Sequence, residues 1–151
     1  MGVEAKYHIA TGRWESVAPM PKLLFLDDRS KRLHAAIWKY GDNYAVTLVA
    51  TAKECIKMLS NEGPWDVVSL DHDLCFEEFV DPNRDDCGME VVRWLERRAD
   101  YMEKIYVANW PEVEGPQFII HTSNKAAADE MYKRLKKSKY GVVIERFTYD
   151  D

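Results

Sequence analysis

The sequence predicts an α/β domain built on a parallel sheet with helices on both faces. Three observations carry this. Short apolar runs recur along the chain, among them Leu23-Leu24-Phe25-Leu26, Val67-Val68-Ser69-Leu70 and Phe118-Ile119-Ile120, and they are nearly continuous rather than alternating, as in strands buried on both faces. Between them lie segments with apolar residues at helical spacing. Strands that alternate with helices form sheets whose crossover connections keep the strands parallel. The 151 residues suit one domain with a sizeable core, and the 46% apolar content is ordinary for a globular protein.

Residues 1–21 precede the alternation. Residues 7–17 read as a hairpin turning at Thr11-Gly12, or as an arm ending at Pro19 and Pro21; the stretch is too short for its own core, so the main domain spans 22–151. Lys22–Leu26 is the first predicted strand. A helix follows over residues 29–40, with Leu33, Ala36, Ile37 and Tyr40 on one face, until Gly41-Asp42-Asn43 breaks it. Residues 44–49 form the second strand. Thr51, with Glu54 three residues on, makes a capping-box pattern for the second helix, whose inward side chains are Ile56 and Leu59 and whose end is Gly63-Pro64.

The third strand is residues 66–70. An acidic loop over 75–87 carries Glu77, Glu78, Asp81, Asp85 and Asp86; it reads as solvated, and its length suits a lid. The third helix begins near Gly88 and turns Val92, Leu95, Ala99 and Met102 inward. A loop over 106–117 contains Pro111, Gly115 and Pro116, with Trp110 able to stack on a base or to pack. Residues 118–121 form the fourth strand. Ser123 or Asn124 caps the fourth helix, which buries Ala128, Met131 and Leu135 and exposes Lys133, Arg134, Lys136, Lys137 and Lys139. Tyr140-Gly141 turns into the fifth strand, Val142–Ile144.

Several classes are excluded by composition. No apolar run approaches the ~20 residues that span a bilayer, and residues 1–20 lack a signal-peptide core. Cys55, Cys75 and Cys87 fit neither a disulfide framework nor a Cys-x-x-Cys zinc pattern, so a reducing cytoplasm is the expected compartment. A net charge of −5 offers no basic face for extended double-stranded nucleic acid. A small anionic ligand held by a metal or a few basic groups fits that charge.

The chemistry gathers where apolar runs end. Leu26 leads into Asp27-Asp28-Arg29, Leu70 into Asp71-His72-Asp73, and Ile120 into His121-Thr122-Ser123-Asn124. Ligands of parallel α/β sheets bind beyond these carboxyl ends, where the strand order reverses. Asp27, Asp28 and Asp71, with Asp73 as a further candidate, are hard oxygen ligands for Mg²⁺ or Mn²⁺, and they would repel one another without a cation. Capping of the first helix would account for only one of Asp27 and Asp28.

His72 and His121 each read alone as a satisfied structural histidine. Together, beside carboxylates, they point to acid–base work or to a softer metal such as Mn²⁺ or Zn²⁺. An extended backbone through 71–73 would send Asp71 and Asp73 to one face and His72 to the other, leaving His121 as the better catalytic candidate. Thr122, Ser123 and Asn124 open a helix whose amides and hydroxyls favour an anion. Arg29 and Arg32, a turn apart at the start of the first helix, oppose its dipole; phosphate binding or a surface ion pair would explain them.

These residues, in this order, resemble the receiver domain of two-component response regulators. Asp27-Asp28 ends the first strand, Asp71 takes the phospho-acceptor position and Thr122 ends the fourth strand, over a likeness from Lys22 to about Phe147. The resemblance implies a flavodoxin-like, three-layer fold with a five-stranded parallel sheet of order 2-1-3-4-5. Two departures stand out. The lysine that receivers carry near the end of the fifth strand is replaced by Ile144-Glu145-Arg146-Phe147, and the sequence ends where the last helix would begin, so that helix is expected to be missing. The set Leu-Asp-Asp-Arg, Leu-Asp-His-Asp-Leu, Val-Val-Arg-Trp-Leu and His-Thr-Ser-Asn is similar instead to the cyclic-phosphate processing receiver family, which implies an enzyme acting on nucleotide cyclic phosphates.

The expected function is therefore a metal-dependent phosphoesterase for cyclic phosphates of small nucleotides or RNA ends. In it Asp27, Asp28 and Asp71 hold Mg²⁺ or Mn²⁺, water or Asp71 is the nucleophile, His121 protonates the leaving oxygen, and His72 or Asp73 orients neighbouring groups. Thr122, Ser123, Asn124, Arg29 and Arg32 are the candidate phosphate contacts. Two alternatives use the same residues: a phospho-accepting or pseudo-receiver signalling module, and a protein that sequesters a cyclic nucleotide without turning it over.

Overall fold

A computed structural model describes residues 4–8, 12–17, 20–74, 77–105 and 115–145. Its elements run β1 (Glu4–His8), β2 (Arg13–Val17), β3 (Lys22–Leu26), α1 (Ser30–Tyr40), β4 (Ala45–Val49), α2 (Ala52–Asn61), β5 (Val67–Leu70), α3 (Gly88–Ile105), β6 (Gln117–Ile120), α4 (Lys125–Lys137) and β7 (Val142–Ile144). β1 and β2 pair antiparallel as a hairpin, with Gly12 at φ 64° in the turn region, a backbone that glycine adopts without a Cβ clash. The candidate stacking residue Trp110 and the inward Met102 lie outside the residues and side chains described.

The five remaining strands form one parallel sheet in the order β4-β3-β5-β6-β7. Counted from Lys22 this is 2-1-3-4-5, a flavodoxin-like topology. The chain runs outward from β3 to β4, then crosses back to β5 on the other side of β3, so the order reverses between β3 and β5. Leu26 pairs with Leu70 and Leu70 with Ile120. The next residue of each strand is Asp27, Asp71 or His121, so the register itself lines these three up. Backbone bonds carry the alignment past the last paired residues: Asp71 N–H donates to the Leu26 carbonyl (3.0 Å) and His121 N–H to the Leu70 carbonyl (3.0 Å).

Helices cover both faces. On one, Leu24, Leu26, Val68, Leu70, Phe118 and Ile120 pack with Cys55 of α2, Met89, Val92 and Leu95 of α3, and Ala128, Met131 and Leu135 of α4. On the other, Leu23 and Phe25 meet Ala36 and Tyr40 of α1. Each large apolar side chain so buried stabilises by roughly 1.5–3 kcal/mol, which offsets the cost of enclosing carboxylates at the strand ends. Among the described residues no helix is long and apolar enough to cross a membrane.

The elements follow the predicted order, with local differences. The fourth strand is Gln117–Ile120 and His121 lies just beyond it. α2 is capped by Thr51, whose hydroxyl accepts from Glu54 N–H (3.1 Å); its most buried residues are Ala52 and Cys55, with Ile56 and Leu59 half-buried. α1 departs most. Its inward row is Arg32, Ala36 and Tyr40, while Ile37 is exposed. The row turns because a charged residue is drawn inward by carboxylates that periodicity of apolar residues does not register.

Candidate functional site

β3 delivers Asp27 and Asp28, β5 delivers Asp71, and β6 delivers His121. Asp27, Asp71 and His121 are all buried, and they offer ligand atoms that lie within 4.8 Å of one another. Two carboxylates and an imidazole in that space form a donor set that a divalent cation fits. Asp28 is also buried but stands outside this group of three.

His121 is held from three sides. Its Nε2 lies 3.0 Å from Asp27 Oδ2, its Nδ1 lies 2.7 Å from the Ser69 hydroxyl, and its ring stacks on Phe25 with centroids 4.4 Å apart and planes 7° apart. Burial pushes its pKa down, so the ring is neutral and exists as one of two tautomers. A serine hydroxyl both donates and accepts, so Ser69 serves either tautomer. The ring can therefore release Nε2 as a lone-pair donor without losing its second partner.

Asp71 is 2% exposed, and its pKa is pushed up to about 8, by burial first and then by the Asp27 charge; Arg32, the Thr122 side chain and the His72 amide pull it down less strongly. The Arg32 guanidinium, also buried, lies 3.5 Å from Asp27 Oδ2 and 3.6 Å from Asp71 Oδ2. It supplies positive charge between two carboxylates that would otherwise repel. The lysine expected near the end of the fifth strand is absent. Here that end carries Glu145, which ion-pairs with Lys39 and accepts from the Tyr40 hydroxyl (3.4 Å).

His72 and Asp73 form a separate group. His72 Nδ1 lies 2.8 Å from Asp73 Oδ1. Asp73 also accepts from Phe79 N–H (2.9 Å), Val80 N–H (3.1 Å) and Asn124 Nδ2 (3.2 Å). Burial raises the Asp73 pKa, but these donors outweigh it and hold the carboxyl low. Burial pushes His72 down, while the Cys87 thiol and Asp73 more than offset this and leave it raised. β5 ends at Leu70, so the alternation expected through residues 71–73 does not continue, and Asp73 turns to the 77–87 loop rather than to Asp71.

That loop is built by its charges. Arg84 pairs with Glu77 (2.6 Å) and Asp86 (2.6 Å), and Arg93 donates to the Pro82 and Arg84 carbonyls, both at 2.6 Å. Arg29 Nη2 reaches Glu78 at 3.2 Å, tying the loop to the start of α1. The two arginines of the first turn thus divide: Arg29 makes the surface pair and Arg32 enters the site. Neither Asp27 nor Asp28 is the N-cap of α1, a position held by Arg29; Asp27 Oδ1 instead accepts from Arg29 N–H (2.9 Å).

The start of α4 divides in the same way. Asn124 is the cap, its Oδ1 accepting from Ala127 N–H (3.1 Å) while its Nδ2 holds Asp73. Thr122 is half-buried and bonds Asp71, and Ser123 is exposed. A residue that pattern reading missed is Gly88. A Cβ there would lie 2.0 Å from the Asp71 carbonyl oxygen and 2.8 Å from His72 Cα, and Gly88 N–H donates to the His72 carbonyl (2.9 Å). Only glycine lets α3 begin against the backbone that carries Asp71. Ser69 was also missed, although a lone hydroxyl inside an apolar run was a signal that it had a buried partner.

Fold and site together define a receiver-like α/β domain whose strand-end cluster includes an imidazole. Residues 22–137 match the cyclic-phosphate processing receiver domain, and the chain belongs to that family. Its structure is similar to a signal receiver domain from Vibrio parahaemolyticus (15% identity, TM-score 0.57, covering 87% of this chain and 82% of the other). It is also similar to a CheY-like response regulator receiver domain protein from Methanospirillum hungatei (18%, 0.56, 87% and 85%). A third is the receiver domain of the Francisella response regulator 1452 (17%, 0.50, 83% and 84%). At these identities the likeness is one of fold. No curated protein sequence matches the chain.

Proposed function

We propose that this chain is a metal-dependent phosphoesterase that opens the cyclic phosphate of a small nucleotide or RNA end. The observation that carries the reading is the convergence of Asp27, Asp71 and His121 ligand atoms within 4.8 Å, buried at the strand ends. Membership of a family described as cyclic-phosphate processing supports this substrate class. A bound divalent cation would neutralise phosphate charge and activate water. An imidazole among two carboxylates favours Mn²⁺ over Mg²⁺, because nitrogen is a poor ligand for the harder ion.

The chain's own groups do the rest. Arg32 and the Thr122 hydroxyl bind phosphoryl oxygens, and the amides that open α4 add to them. His121 serves as metal ligand, or takes the proton of the attacking water and passes it to the leaving oxygen, with Ser69 holding the ring in either tautomer. Asp71 is either a ligand or the group that attacks phosphorus. The His72–Asp73 pair sets the backbone at Asp71 and anchors the 77–87 loop.

Phosphorus NMR of the protein with 2′,3′-cyclic and 3′,5′-cyclic nucleotides tests this. Conversion to a monophosphate with Mn²⁺ that ceases in EDTA and in Asp71→Asn is expected, and no conversion with any metal would overturn it. A second reading, a phospho-accepting signalling module, has the receiver-like fold in its favour. Its mark would be stable labelling of Asp71 by acetyl phosphate.

A further inference from the structure

A cavity of about 500 Å³ opens beside the cluster, between the start of α4 and the end of β7. Arg32, His121 and Thr122 form its inner wall; Lys125, Asp129 and Ile144 form its outer wall. A phosphoryl group held against Arg32, His121 and Thr122 would fill only the inner end. Cavities of about 300–1,000 Å³ enclose whole small-molecule ligands, so the outer part has room that phosphate chemistry does not use.

We propose that the outer part of this cavity is a nucleoside subsite, which takes the sugar and base of the cyclic-phosphate nucleotide whose phosphate lies against Arg32, His121 and Thr122. The inference rests on the phosphoesterase reading and names the part of the substrate that gives it specificity. Ile144, 39% exposed at the rim, offers an apolar surface to a base. The small, buried Ala128 also lines the cavity. Asp129 only accepts hydrogen bonds, which suits ribose hydroxyls or base N–H groups, and Lys125 only donates, which suits phosphate or base carbonyl oxygens. Neither makes an ion pair with another described residue. Lys125 is the first residue of α4, where a cation opposes the helix dipole, a placement that an anionic ligand offsets.

The test is an amide chemical-shift titration of the full chain with Mg²⁺, using the 2′,3′-cyclic phosphates of adenosine, guanosine, cytidine and uridine, against glycerol 1,2-cyclic phosphate, which has neither sugar ring nor base. All probes should move residues 121–124. At least one nucleotide should also move Lys125, Ala128, Asp129 and Ile144, and bind about tenfold or more tighter than the glycerol compound. Ile144→Ser, which removes the apolar surface, should remove most of that advantage while leaving the glycerol compound's affinity within about twofold. Equal affinities, with shifts confined to residues 121–124 and no effect of Ile144→Ser, would overturn the subsite and leave the phosphoesterase reading standing. Failure of every probe to bind with Mg²⁺ and, by calorimetry, with Mn²⁺ would remove both.

Discussion

Asp71 and Asp73 sit two residues apart after the same strand, yet they live in opposite environments. Asp71 faces another buried carboxylate and is pushed up to about 8; Asp73 collects four hydrogen-bond donors and is held low. The same contrast separates the histidines. His121 lines a cavity and shares its Nε2 with a metal-competent group, while His72 is sealed between Asp73 and Cys87. A carboxylate that is fully satisfied in place is structure. One that is crowded, buried and left beside a like charge is poised for a cation or a reaction.

The largest expected effect breaks the comparison at the carboxylates. Asp71→Asn should weaken Mn²⁺ binding by about 100-fold or more and abolish turnover, since losing a ligand costs more than the 10–100-fold of a supporting residue. Asp73→Asn should leave Mn²⁺ affinity within about tenfold but destabilise the fold by about 1–3 kcal/mol, because an amide keeps one acceptor oxygen and turns an NH2 donor toward the donors that faced the other. Calorimetric metal titration and denaturant unfolding read the two outcomes, and equal metal defects in both variants would erase the distinction.

Gly88→Ala comes next. The methyl group meets the Asp71 carbonyl and His72 Cα, both backbone, so α3 must shift; about 1–3 kcal/mol of stability should be lost, and metal affinity should fall with it. Retention of both would show that α3 does not set the backbone at Asp71.

The pH dependence sharpens the contrast further. The folded pKa of Asp71 lies above its unfolded value, so its contribution to stability is complete below about pH 4 and lost as pH rises through about 8. Asp73, shifted down, contributes above the ordinary carboxylate range, and that contribution is lost on acidification. His72, shifted up, adds a loss in the same direction as Asp71. The melting temperature of metal-free protein should therefore fall between pH 5 and 9 more steeply in the native sequence than in Asp71→Asn, and Mn²⁺ should flatten it. Parallel profiles would refute the assignment.

The smallest effect belongs to the surface. Removing the exposed Arg29–Glu78 pair by Glu78→Ala should change stability by no more than about 1 kcal/mol. Its use is as a probe of the loop: a change in nucleotide exchange rate without a change in stability would make the loop a lid.

Much of the fold was legible along the chain. Continuous apolar runs marked the strands of the sheet, Thr51 and the pair Ser123-Asn124 marked helix starts, and the polar residues after each run marked the end of the sheet where the candidate site lies. The inward turn of Arg32 was not legible, because hydrophobic periodicity cannot see a cation whose partners come from two other strands. Nor was the division of labour between Asp71 and Asp73, since alternation assumes a strand that in fact ends at Leu70.

By itself, then, the sequence determined the alternation of elements, the inward faces of α3 and α4 and the position of the candidate site, because these depend on spacing within one segment. The tertiary structure alone decided which groups meet. The register of β3, β5 and β6 aligns Asp27, Asp71 and His121, the missing side chain of Gly88 admits α3, and the gap between α4 and β7 opens the cavity. Each of these joins residues far apart in the chain, and their interaction free energy exists only once the sheet has brought them together.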